Sequence, residues 1–338
     1  MSRVESRPIV IGLNAVVLAV TDQEPRVLVL TREATDGLAS GSAPDALPFG
    51  PLDPEQDRTL ELALRGWVRA QTGLALGYAE QLYTFGDRHR ELGERQGGPR
   101  VISIGYLTLV RERSAVDATA WRAWYEYFPW EDWRAGRPKI LAARVEPALA
   151  DWIASNEADA KLRRQRRERI DIAFGLGGAP WDGERALDRY ELLYEAELVV
   201  EAHRDRSRPR GGPLAEVSAE RPLLGRPMAH DHRRILATAI GRMRGKIRYR
   251  PVVFELAPPT FTLLQLQRVV EALAGMPLHK QNFRGLVERG GLVEGTGRQD
   301  AHTGGRPAEI FRFRREVLRE RPALGVGLPG ISMAQEGG

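Results

Sequence analysis

The chain has 338 residues, of which 42% are apolar and 28% charged, with no cysteine, six histidines and a net charge of +5. That length holds two domains with separate cores, and the lack of cysteine excludes a disulfide framework, a thiolate nucleophile and a cysteine-ligated zinc site. No apolar run nears the roughly 20 residues of a bilayer-spanning helix. Met1-Ser2-Arg3-Val4-Glu5 lacks a signal-peptide pattern, so a cytoplasmic location without a membrane partner is expected.

Ile9 to Val20 and Arg26 to Leu30 are β-branched, nearly continuous apolar runs separated by the polar turn Asp22-Gln23-Glu24-Pro25. They predict two buried strands. Gly37 to Ala46 is a small-residue loop, and a helix is expected from Pro54 to Thr72, with Leu60, Leu64 and Val68 as its packing stripe and Gly73 as its C-cap. Gln81 to Phe85 and Val101 to Val110 read as further strands flanking the arginine-dense loop Gly86 to Arg100. Strands interleaved with a helix predict a mixed α/β domain.

Ala120 to Trp133 holds four of the seven tryptophans and reads as a satellite core or dimer surface, because Glu126, Glu131 and Asp132 interrupt it. Asp151 to Phe174 is helical in pattern and includes the basic run Lys161 to Arg169, which on its own reads as a solvated face. Trp181 to His203 reads as one long helix. His203 to Pro227 is rich in Pro, Gly and Arg without periodicity and marks a linker. His230 and His232 are too close for an i, i+4 metal pair and have no HExxH context.

After the linker, a helix from His230 to Arg248 carries the stripe Leu236, Ile240, Met243 and Ile247. Thr260-Phe261-Thr262 supplies a hydroxyl N-cap for Leu263 to Ala274, the turn Gly275-Met276-Pro277 follows, and His279 to Arg289 forms a second helix with Phe283, Leu286 and Val287 inward. Helix, short turn, helix is the pattern of a helix-turn-helix, whose second helix reads the major groove. Gly291 to Glu294 and Ala308 to Phe313, joined by the loop Gly295 to Pro307, predict a hairpin wing carrying Arg298, His302 and Arg306. Arg226 to Glu320 contains 18 Lys/Arg against nine Asp/Glu, so the basic character sits in this part and points to a polyanion.

The first half resembles a Nudix domain. Anchored on Gly73-Leu74, the Arg-Glu-U-x-Glu-Glu positions of the Nudix signature fall on Gly66, Trp67, Val68, Arg69, Ala70 and Gln71; its upstream glutamate falls on Arg58, and Gly50 sits two residues early. In the family those glutamates hold divalent metals that activate water, a task for carboxylate oxygens that Trp, Ala and Gln cannot perform. Glu61 is a single carboxylate, so the resemblance implies no catalytic residues, no metal and no enzyme. The order Nudix-like domain, connecting helix, winged helix is similar to the Nudix-related transcriptional regulators of NAD metabolism, the NrtR family. The similarity runs through "HDHRRILATAIGRMRGKIRYRPVVFEL", "FTLLQLQRVVEALAGMPLHKQNFRGLVERGGL" and "GGRPAEIFRFR". "FPWEDWRAGRP" and "RYELLYEAELVVEA" look most like the NadQ-type branch.

The resemblance implies a homodimeric repressor that binds double-stranded operator DNA near NAD-biosynthesis genes and takes an adenine-nucleotide effector (ADP-ribose, NAD or ATP) in the Nudix pocket. The expected fold is an α/β Nudix-like domain of mixed sheet and helices over residues 1–203, a linker over 204–229, a winged helix-turn-helix domain over 230–318 and a disordered tail over 319–338. Candidate DNA contacts are Lys280, Gln281, Asn282 and Arg284 on the second helix and Arg298 and Arg306 on the wing. Candidate pyrophosphate ligands are Arg32, Arg88 and Arg100, whose guanidinium forks suit phosphate oxygens. Two competing readings stay open at this stage: a nucleoside-diphosphate hydrolase with atypical metal ligands, and a protein-interaction adaptor without a DNA target.

Overall fold

The computed structural model describes residues 8–31, 44–86, 98–111, 118–155, 159–207, 223–301 and 307–317. The described residues group into two compact units. One lies within Met1–Leu18, Arg26–Pro129 and Tyr190–Ala239, the other within Ala19–Pro25, Trp130–Arg189 and Ile240–Gly338.

The first unit is built on a mixed sheet. Its strands are β1 (Ile9–Thr21), β2 (Glu24–Leu30), β3 (Phe49–Pro51), β4 (Tyr78–Phe85), β5 (Arg100–Leu109) and β6 (Thr119–Ala123). The order is β4-β5-β1-β2-β6, with β3 paired to β1. β1 runs parallel to β5, from Ile9 opposite Arg100 to Leu18 opposite Leu109, while β4, β3 and β6 pair antiparallel with β5, β1 and β2. A strand at the centre of such a sheet is covered on both faces, so the predicted apolar run of β1 is continuous rather than alternating.

Helix α1 (Leu60–Thr72) covers one face. Ala63, Leu64 and Val68 pack with Leu13, Ala15, Val17, Leu28, Ile104 and Tyr106, and burial of a Leu or Val side chain stabilises by about 1.5–3 kcal/mol. The helix starts six residues later than the sequence predicts. Asp53 forms a competing turn, its carboxylate accepting from the Glu55 and Gln56 amides, and Thr59 is the N-cap, accepting from Leu62 N–H. Gly73 ends it at φ 69° as expected.

Helix α2 (Trp124–Tyr127) follows β6, with Trp124, Tyr125 and Tyr127 buried. The tryptophan-rich stretch is thus strand and core. The basic segment divides into α3 (Glu146–Ala154) and α4 (Ala160–Phe174), the latter capped by Asp159, instead of one continuous helix. The long helix expected over Trp181 to His203 is also two, α5 (Ala186–Glu195) and α6 (Val200–Ser207). Leu198 N–H bonds Leu193 O and Glu197 N–H bonds Tyr194 O, with Glu197 at φ 61°. That is a Schellman stop built on a non-glycine residue, so the usual Gly signal is absent. Of the stretch read as linker, residues 204–207 are the end of α6, Leu224 and Met228 are buried, and residues 208–222 lie outside the described residues.

Helix α7 (His232–Tyr249) contributes its first turns to the first unit and the rest to the second. The second unit continues with α8 (Val253–Leu256), β7 (Thr260–Phe261), α9 (Leu263–Ala274), α10 (Lys280–Arg289), β8 (Val293–Asp300) and β9 (Ala308–Phe313). The three strands order β7-β9-β8. β8 extends through Asp300, past the expected end at Glu294, because Gly297 at φ 71° lets the strand continue through an irregularity between Gly295 and Gln299.

Candidate nucleic-acid interface and the Nudix-like helix

In the winged module, α9 opens with a reciprocal cap: Thr262 accepts from Gln265 N–H, and Gln265 Oε1 accepts from Thr262 N–H at 2.8 Å. Gly275 closes the helix at φ 72°. The turn that follows is held from inside the domain. Buried Gln267 donates from Nε2 to Leu278 O and to Glu271 Oε1, and Glu271 Oε1 accepts from Leu278 N–H, each at 2.9 Å. These two residues escaped the sequence reading. Their signal is a polar i, i+4 pair on the inward face of an otherwise apolar stripe.

The turn delivers α10 with Phe283 and Val287 buried, which leaves Lys280, Gln281, Asn282 and Arg284 on the exposed side. The structure therefore brings the four expected helix residues together. Arg298 is exposed on β8; Arg306 and His302 lie outside the described residues. Lys280, Arg284, Arg289 and Arg298 have no ion-pair partner among the described residues. The wing is braced by Arg312 on Glu294 at 2.6 Å and by Phe254 stacked on Phe313 with centroids 4.2 Å apart. Lys280 also borders a cleft of about 520 Å³ shared with Arg134, Arg268, Leu264 and Asp132.

The charge of this region is less available than the sequence count implies. Arg233 is fully buried against Glu201, Arg234 pairs with Glu191 and Asp231, Arg226 with Asp45, Arg244 with Glu131 and Arg248 with Glu184. Except for Asp231, these acids lie outside the basic stretch, so part of the +9 is neutralised internally. Among the described residues of this stretch, Lys280, Arg284 and Arg289 on α10 and Arg298 on the wing keep unpaired cations.

Within the first unit, residues at the glutamate positions of the Nudix resemblance form a brace. Trp67 Nε1–H donates to Pro51 O at 2.9 Å. Gln71 brackets the Phe49 peptide, accepting from its N–H at 3.1 Å and donating to its C=O at 2.7 Å. The indole lies against Gly50, where an added Cβ would sit 2.1 Å from Trp67 Cδ2. Glu61 is exposed and pairs with Arg65 at 2.7 Å, and no cluster of three or more His, Asp or Glu suited to a metal occurs among the described residues. Tyr106 faces this helix; burial, and then the Glu61 charge, raise its hydroxyl above the ordinary value. Arg100, part-buried at the start of β5, donates to Gly86 O at 2.7 Å. Arg32 and Arg88 lie outside the described residues. His232 Nδ1 accepts from Leu47 N–H at 3.0 Å, and Phe49 packs against both His230 and His232.

Residues 253–313 match the NrtR DNA-binding winged helix domain. Over 86 residues the chain is 40% identical to the ADPR responsive transcriptional repressor NtrR of Acinetobacter baylyi; the match takes in 25% of this chain and 34%, about a third, of that relative. Shewanella oneidensis NrtR complexed with a 27mer DNA superposes at TM-score 0.52 and 19% identity, covering 91% of this chain and 95% of that one. A MutT/nudix family protein from Enterococcus faecalis gives 0.50 at 14% identity, covering 93% and 90%. The fold is thus a Nudix-like mixed α/β domain followed by an NrtR-type winged helix.

Proposed function

We infer that the chain is a DNA-binding transcriptional repressor of the NrtR kind, acting on NAD-biosynthesis genes. The observation that carries this is the exposed face of α10, where Lys280, Gln281, Asn282 and Arg284 stand without acidic partners on a winged helix of that family. Gln and Asn pair bidentately with adenine and Arg with guanine, while Lys280 and Arg298 suit phosphates.

The Nudix-like domain is assigned to sensing an adenine nucleotide, with ADP-ribose first, since the Acinetobacter baylyi relative is ADPR responsive; NAD and ATP are the other members of the class. Arg100, with Arg32 and Arg88, is the proposed pyrophosphate grip. Hydrolysis is not assigned to it, because Trp67 and Gln71 spend their polar atoms on the β3 backbone. Sensing over residues 1–203 and DNA binding over 230–318, a NadQ-like character, a homodimer on a near-palindromic operator and a cytoplasmic location complete the reading.

Titration of the full chain onto promoter fragments upstream of NAD-biosynthesis genes, with and without ADP-ribose, NAD or ATP, tests it. Retention of a specific fragment and a shift in affinity with one nucleotide is expected. Equal affinity for all fragments at low salt sinks the regulator assignment, and magnesium-dependent release of AMP or phosphate sinks the non-catalytic one.

A further inference from the structure

We propose that the exposed half of α4 is a second DNA-contacting surface that grips the phosphate backbone of the duplex engaged by the winged helix. The inference rests on the DNA-binding reading above. From Ala160 to Arg169 every side chain of α4 is exposed except Arg166, which turns back to donate to Trp152 O and Ser155 Oγ and stacks over the Trp152 ring at 4.1 Å. The helix is anchored by its other half, where Ile170, Ala173 and Phe174 are buried. The side chains of Lys161, Arg163, Arg164 and Arg167 form no hydrogen bond or ion pair with any described residue.

On an isolated helix, opposite charges at i, i+4 pair and stabilise it. Here Glu168 stands four residues after Arg164 and Asp171 four after Arg167, yet neither pair closes. The first turn holds no acid, and the N-cap carboxylate of Asp159 stands against the three cations Lys161, Arg163 and Arg164 at the end where the helix dipole repels positive charge. This end of the helix therefore keeps a net positive charge that attracts an anion from outside. From Lys161 to Arg167 the axis advances about 9 Å, a distance over which duplex DNA presents roughly five phosphate charges.

Buried ionic contacts fix α4 to the helix-turn-helix within the same unit. Arg189 donates to Ala173 O at the end of α4 at 2.7 Å and pairs with fully buried Glu131. Glu131 also holds Arg244 of α7, whose Nε donates to Leu273 O of α9 at 3.3 Å, and Trp133 N–H donates to Gly275 O at 2.7 Å. The cations of α4 and the reading helix thus belong to one braced assembly. Arginine and lysine without neighbouring base-reading amides other than Gln165 predict sequence-independent contact.

The test compares the full chain with the variant Lys161→Gln, Arg163→Gln, Arg164→Gln, Arg167→Gln. Glutamine keeps helix propensity at these exposed positions, and circular dichroism checks the fold. Affinity is measured from about 50 to 200 mM salt on a random-sequence duplex and on the promoter fragment bound most tightly above. The proposal expects the log affinity against log salt slope to become shallower by about 3 to 4 on both DNAs, with the preference between them unchanged. A wild-type slope in the variant, with wild-type protein still preferring the promoter fragment, overturns the α4 assignment alone. Failure of the wild-type chain to bind either duplex overturns it together with the DNA-binding reading.

Discussion

Removing the carboxylate of Glu131 should loosen the second unit more than any other single polar change. Glu131 and Arg189 are completely buried and Arg244 is 4% exposed. Arg189 further donates to Ala173 O and Asp182 O, and Arg244 to Gly183 O and Leu273 O. Its guanidinium lies 3.9 Å from the Trp181 ring centroid in the case of Arg189. In Glu131→Ala the carbonyl acceptors survive but two guanidiniums lose their shared counter-charge. Breaking a buried pair typically costs about 3–5 kcal/mol, a large part of a stability that is usually about 5–15 kcal/mol. Glu131→Gln keeps shape and one acceptor and should cost about 1.5–3 kcal/mol, the worth of hydrogen bonds to a charged group. Urea unfolding gives the magnitude, and hydrogen exchange should show faster opening of peptides from α4, α7 and α9. Burial raises the Glu131 carboxyl, but Arg189 and then Arg244 more than reverse this and hold it below its ordinary value of 4.5. Its folded-state value being depressed, the stabilisation is fully present above pH 4.5 and is lost as pH falls through the lower folded value. Glu131→Gln should lack that acid-dependent component. A loss below about 1 kcal/mol in Glu131→Ala, with unchanged exchange, would refute the idea that this carboxylate holds the helices together.

Arg284→Ala should weaken binding to the preferred promoter fragment by about 1–3 kcal/mol and relax its sequence preference, read by competition titration; unchanged preference would remove α10 from the reading role. Gly50→Ala should destabilise the first unit by about 1–3 kcal/mol, because the new methyl meets the Trp67 indole. In a Trp67→Ala background the same change should be close to neutral, and a double-mutant cycle without coupling would dismiss the contact. Thr262→Ala removes the reciprocal cap of α9 and should cost about 1 kcal/mol in thermal or urea unfolding. Gln267→Leu leaves Leu278 O without its side-chain donor, and the expected cost of about 1–3 kcal/mol should accompany weakened DNA binding, since the turn positions α10.

The elements governed by local signals were legible in the sequence. Thr262 and Gly275 bound α9 as the hydroxyl and glycine rules require, Gly73 ends α1, and Phe283 and Val287 face inward. The breaks were illegible where tertiary context replaced the usual residue. Glu197 takes a left-handed conformation normally left to glycine, and the Asp53 turn displaces the start of α1. Site chemistry followed the same division. The outward residues of α10 could be read from periodicity, whereas the partners of Arg233, Arg234 and Arg244 lie far away in sequence, so counting charges overstated the free positive surface. Trp67 and Gln71 looked like losses from a signature, and only their distance to the β3 peptide groups reveals what they do.

That brace also bears on how readily this helix could acquire metal ligands. Trp67→Glu would strip Pro51 O of its donor and open a void over Gly50, and Gln71→Glu would set a carboxylate oxygen against Phe49 O where an amide N–H now donates. Each substitution that installs a carboxylate here therefore loses a structural bond, about 1–3 kcal/mol for a polar group left unmatched, before enough ligands are assembled to hold an ion. The path is uphill at its first substitution and gains nothing until several have accumulated. The brace thus acts as a one-way catch: the bonds from Trp67 and Gln71 to the β3 backbone tie the geometry of that strand to these two side chains and resist their replacement by carboxylates.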